Sequence, residues 1–151
     1  MNIYRPFTLV LLLAGIFFFL QSASTQNVST KDAPAAVLSA FKKAYPKATV
    51  IAVSKESAEE KDYYKIQSVD GKTKRNVYYT PKGEAVETEE SIEPAKLPAA
   101  IQKYLKKKYL DGYIVAGVFV KSKDISGYQI DIQNGKKKLS LSFDATGKLL
   151  K

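Results

Sequence analysis

Ala36–Val53 reads AVLSAFKKAYPKATVIAV, and Ala100–Gly117, 64 positions further on, reads AIQKYLKKKYLDGYIVAG. The two stretches share Ala36/Ala100, Lys42-Lys43/Lys106-Lys107, Tyr45/Tyr109 and Ala52/Ala116. They also exchange one apolar residue for another at Val37/Ile101 and Phe41/Leu105. The register continues outward without a gap. Tyr64-Lys65-Ile66 returns as Tyr128-Gln129-Ile130, Asp70-Gly71 as Asn134-Gly135, and Gly83 as Gly147. A gapless match that carries two turn glycines marks a tandem duplication, and a duplicated unit fixes the reading of the whole chain.

Each unit reads as a helix followed by an antiparallel meander. In the first, Asp32 is the expected N-cap and Pro34 belongs to the first helical turn, where its missing N–H is not needed. Val37, Phe41, Ala44 and Tyr45 recur at helical spacing on one face, and Pro46 ends the helix. Strands are expected at 49–53, 63–69, 76–80 and 85–89, with turns at Asp70-Gly71 and around Gly83. The second unit predicts a helix from Leu97 or Pro98 to about Tyr109, then strands at 113–121, 128–133, 138–143 and 148–150. The organisation is therefore a leader over 1–24, a lead-in over 25–32, repeat 1 over 33–88, a linker over 89–96 and repeat 2 over 97–151. Each repeat is one helix followed by four strands.

Alternation within the strands sorts the side chains. Tyr64, Ile66, Val77 and Tyr79, with Tyr128, Ile130, Ile132, Leu139, Leu141 and Phe143, point toward the helices. Tyr63, Lys65, Gln67, Asn76, Tyr78 and Thr80, with Gln129, Asp131, Ser140, Ser142 and Asp144, point the other way. The fold class is α+β, a two-layer domain with one sheet face covered and one open to solvent.

The first 24 residues carry Arg5, an apolar run from Phe7 to Leu20 and small polar residues. This is the layout of a secretory signal peptide, and the run is shorter than a spanning helix requires. Cleavage is expected after Ala23 or Ser24, which makes the chain exported, periplasmic or secreted. The formal charge is +9, and Arg75 is the one arginine after the leader. Base-edge and phosphate readers rely on the planar fork of Arg, so lysine-borne charge argues against nucleic acid as a partner.

The chain has no Cys and no His. It lacks a thiol nucleophile, a thiolate or imidazole metal ligand and a Ser-His-Asp triad. No catalytic residue, metal site or cofactor is expected. Glu84, Glu87, Glu89, Glu90 and Glu93 match no calcium loop and read as a solvated edge strand blunted by charge. Lys103, Lys106, Lys107 and Lys108 read first as the wet side of a helix, with Lys108 snorkelling at its boundary, and second as a patch for anionic surfaces. Tyr63, Lys65, Gln67, Asn76, Tyr78, Tyr113, Gln129 and Asp131 form the candidate partner surface, because Tyr supplies wide contact area at small rotamer cost.

These residues also resemble a known family. Pro34, Val37, Phe41 and Tyr45-Pro46, then Tyr64-Lys65-Ile66, Asp70-Gly71-Lys72, Leu97-Pro98, Tyr128-Gln129-Ile130 and Phe143-Asp144 through Gly147-Lys148-Leu149-Leu150 follow the frame of the PepSY-like exported proteins. The fold of that family is similar to the β-lactamase inhibitory protein. One departure is Leu110, which stands where repeat 1 has Pro46. The resemblance implies a module that binds or restrains another exported protein, such as a hydrolase or peptidase, and supplies no catalytic motif. A passive envelope protein that contacts anionic polymers or lipids is the alternative.

Overall fold

The computed structural model describes residues 25–28, 32–58 and 61–150. The expected signal peptide over 1–24 lies outside the described residues. The elements are β1 (Thr25–Val28), α1 (Ala35–Ala44), β2 (Thr49–Ala58), β3 (Lys61–Asp70), β4 (Thr73–Tyr79) and β5 (Ala85–Ser91). A 3-10 turn (Pro94–Lys96) leads to α2 (Ala99–Lys108), β6 (Gly112–Ser122), β7 (Ser126–Asn134) and β8 (Lys137–Asp144). All strands join one antiparallel sheet in chain order, β1 to β8.

A ten-residue helix does not persist alone in water, so each helix depends on the face it buries. Val37 and Phe41 of α1 pack on Val53, Ile66, Val77 and Tyr79. Ile101 and Leu105 of α2 pack on Ile130, Ile132, Leu141 and Phe143. The two cores remain distinct, one per repeat. The register places them on the same side of the sheet: Val77 opposes Thr88, Glu90 opposes Phe119 and Phe119 opposes Tyr128. The α+β two-layer arrangement expected from alternation is the one observed.

The duplication extends to backbone detail. Both helices end with the same cap geometry, at Tyr45 (φ −131°, ψ 65°) and Tyr109 (φ −132°, ψ 68°). Both first strands carry a bulge at the same repeat position, between Val50 and Ala52 and between Ile114 and Ala116. The bulged residues, Ile51 and Val115, are left exposed.

Several expectations need correction. Neither helix has a side-chain cap: Pro34 and Pro98 occupy the cap position with extended backbone, so Asp32 does not cap α1. Ala44 is exposed rather than on the buried face. The residues expected to lead in from 25 form β1, which pairs with β2. The fourth strand of repeat 2 is reduced to a single bridge between Phe143 and Leu149. The linker expected from Glu89 begins later, because Glu89–Ser91 continue β5 and pair with Val118–Val120 of β6. That pairing fuses two units into one sheet and removes the edge that β5 was expected to form.

Candidate functional site on the open sheet face

Opposite the helices, β3, β4 and β5 bring together five of the expected surface residues and three that were not expected. Tyr63, Lys65 and Gln67 stand on β3, with Asn76 and Tyr78 opposite on β4, where Lys65 pairs with Tyr78 and Gln67 with Asn76. Register then sets Glu87 opposite Tyr78 and Glu89 opposite Asn76. The Lys65 ammonium is 3.1 Å from Glu56 and 5.6 Å from the centre of the Tyr78 ring. Asn76 donates from Nδ2 to Glu89 Oε2 at 2.8 Å. The Glu89 residue is only 3% exposed, and its Oε1 is buried with no hydrogen-bond partner.

The carboxylates were read from sequence as a solvated edge, and this is wrong for Glu87 and Glu89. A strand paired on both sides has no edge, and its neighbours cover its side chains. The signal that could have found them is their phase: Glu87 and Glu89 alternate with Val86 and Thr88, on the same face as Asn76 and Tyr78. Glu90 faces the helices, where it accepts from Arg75 Nε at 2.6 Å while the Arg75 guanidinium stacks 4.2 Å from the Tyr45 ring. Glu84 and Glu93 are exposed, as a solvated reading requires.

Burial raises the Tyr78 hydroxyl, and the charges of Glu89, Glu56 and Glu87 push it further. Glu87 is pushed up to about 7 by burial and then by the charge of Glu89. Glu89 is raised by burial, against the pull of its Asn76 hydrogen bond and of Lys65. The consequence for stability has a definite sign. Between 4.5, the ordinary value, and about 7, folded Glu87 holds a proton that the unfolded chain has released. Unfolding free energy therefore falls as pH rises across that interval. Denaturant midpoints measured from below 4.5 to above 7 are expected to show this decline, and Glu87→Gln is expected to flatten most of it. Asp62 and Asp144 act in a separate window. Hydrogen bonds lower both, Asp62 from Lys55 and Asp144 from Thr146, so their contribution is lost as pH falls below 3.8.

The remaining expected residues lie apart from this cluster. Gln129 is 4% exposed and donates to Ser140 Oγ, which in turn donates to Asp131 at 2.7 Å. That network belongs to β7 and β8, across the seam. Tyr113, 64% exposed, stands at the opposite end of the strands from Tyr63. The face is thus less open than alternation alone suggests, because long side chains on adjacent strands cover one another.

Lys103, Lys106, Lys107 and Lys108 are all exposed on α2. Lys108 has no apolar boundary to snorkel across, because its repeat equivalent, Ala44, is exposed too. The last three lie in the final helical turn, where positive charge offsets the negative end of the helix dipole. No helix among the described residues is long and apolar enough to cross a membrane.

One sheet shared by two helix-plus-meander units, with an uncovered face, defines a duplicated α+β module. The family described as "Putative beta-lactamase-inhibitor-like, PepSY-like" matches residues 21–68 and 62–151, and the chain belongs to that family. Among solved structures, a "putative periplasmic" protein of Bacteroides eggerthii superposes with a TM-score of 0.65 at 24% identity, covering 79% of this chain and 86% of that one. A DUF2874 family protein of Bacteroides uniformis gives 0.64 at 22%, covering 79% and 87%. A BLIP-like protein of Bacteroides fragilis gives 0.61 at 23%, covering 77% and 82%. At these identities the likeness is one of fold. No functionally curated protein matches the chain.

Proposed function

We propose that this chain is an exported, non-enzymatic binding module that docks a protein partner on its open sheet face and thereby restrains an exported hydrolase or peptidase. The observation that carries this reading is the one-sided cover of the sheet. Both helices bury the same face, while the other presents Tyr63, Lys65, Gln67, Asn76 and Tyr78 as a contiguous surface. Side chains held by cross-strand pairing lose little freedom on docking, which favours affinity. The chemistry available without Cys or His supports binding over catalysis, and the solved structure of a BLIP-like protein shares the fold.

The test is binding of the purified protein to exported hydrolases and peptidases, measured with surface variants. Tyr63→Ala combined with Tyr113→Ala removes aromatic area from both ends of the face and is expected to weaken a partner at least about tenfold. Charge reversal at Lys103, Lys106 and Lys107 is expected to leave that binding unchanged, since α2 lies on the other side of the sheet. Salt-sensitive retention on anionic vesicles that disappears on the same charge reversal, with no stoichiometric protein partner, would instead assign the chain to an anionic envelope surface.

A further inference from the structure

The carboxylates of the open face are unequally partnered. Glu56 holds Lys65, whereas neither Glu87 nor Glu89 has an ion-pair partner among the described residues. Glu89 is the more demanding group. One of its oxygens accepts from Asn76, and the other is buried and accepts from nothing. A buried acceptor without a donor is costly, and a charged one more so, which makes such an atom a place where an arriving donor gains most.

Space for that donor is present. Glu89 lines a groove of about 480 Å³ at the seam between the repeats, with Asn76 beside it and Ala116 and Val118 on the β6 side. Glu87, two residues from Glu89 on the same face, lies roughly 7 Å along the strand, close enough for one cation to act on both. Lys65, resting over the Tyr78 ring, shows that this surface already accommodates an ammonium group. A metal ion fits less well. No group of three Asp or Glu among the described residues is arranged to hold one, and Asn76 turns its amide nitrogen, a donor, toward the carboxylate.

We propose that the recess around Glu89 and Glu87 takes one ammonium or guanidinium group, presented by a Lys or Arg side chain of the protein that docks on the open face. This rests on the binding-module reading and adds the chemistry of the anchor. An otherwise basic chain then recognises a basic residue through a local reversal of charge. The apolar β6 wall receives the aliphatic stem, and the paired carboxylates receive the head.

The test uses the folded protein and N-acetyl-arginine methylamide as probe, followed by backbone amide NMR. Saturable shifts are expected at Asn76, Tyr78, Glu89 and Val118, with the uncharged citrulline analogue binding at least about tenfold more weakly. Glu87→Gln with Glu89→Gln keeps the shape, leaves the protein folded, and is expected to weaken the arginine probe to the level of citrulline. Shifts that do not saturate, that are equal for the two probes, or that survive both substitutions overturn the proposal. So does saturation of the same amides by calcium chloride with no response to arginine. The two readings separate cleanly. If a partner is lost with the Tyr63 and Tyr113 substitutions but binds the double Gln variant at full strength, the cation recess is wrong and the open-face reading stands. If the tyrosine substitutions have no effect on any partner, the open-face reading fails, and the probe titration decides the recess alone.

Discussion

Phe143→Ala is expected to lower the unfolding free energy by about 3–5 kcal/mol, the largest loss from any single truncation in this chain. Phe143 is 1% exposed and sits at the centre of the second core, under α2, with its ring 5.6 Å from that of Tyr104. It also holds the chain terminus, through its bridge to Leu149. Truncation leaves a cavity between a short helix and the sheet, and that helix has no other source of stability. Against a typical total of about 5–15 kcal/mol, the loss is large. Chemical denaturation read by circular dichroism checks it, with Phe143→Leu as the near-isosteric control, expected to cost under about 1.5 kcal/mol. A loss below about 1 kcal/mol for the alanine variant would mean that the second core is not closed around this ring.

Gly83→Ala is expected to destabilise by about 3 kcal/mol, and Gly71→Ala by only about 1 kcal/mol. Both glycines have positive φ, 84° and 58°. They differ in what a Cβ would meet. At Gly71 there is nothing within 4 Å, so only the left-handed backbone strain remains. At Gly83 the added carbon would lie 2.6 Å from the carbonyl oxygen of Ala36, in the first turn of α1. The turn from Thr80 to Glu84 is tied by two backbone hydrogen bonds of 2.9 Å, so it cannot swing aside without opening the hairpin. The same construction recurs in repeat 2, where a Cβ on Gly147 would meet Ala100 at 2.9 Å. Equal midpoints for the two alanine variants in urea would show that α1 yields freely and that the close approach is incidental.

These pairs show why much of the fold was readable in advance. The recurrence of Gly83 as Gly147 and of Asp70-Gly71 as Asn134-Gly135 located the turns. Strict alternation in Tyr64-Ile66, Val77-Tyr79 and Ile130-Ile132 identified the buried face, because a one-residue slip would have turned every one of those side chains outward. The helix caps were less legible. Asp32 is a favoured capping type, yet the extended backbone at Pro34 starts the helix two residues later, with no side chain capping it. The candidate site was half legible. Tyr63, Lys65, Gln67, Asn76 and Tyr78 were assigned to one surface by period alone, and they lie on one. Glu56, Glu87 and Glu89 were missed because a carboxylate in a strand resembles a solvated residue until its neighbours are known.

The sequence by itself determined the duplication, the helices, the hairpins within each repeat and which face of each strand is apolar. All of these follow from local periodicity, turn chemistry and short-range pairing. Only the tertiary structure decided that β5 pairs with β6. Backbone hydrogen bonds between strands carry no residue signature, so nothing local distinguishes a strand that ends a sheet from one that continues it. That single non-local pairing joins two small cores under one sheet, turns Glu87 and Glu89 from surface charges into enclosed ones, and sets an unpartnered carboxylate oxygen at the seam.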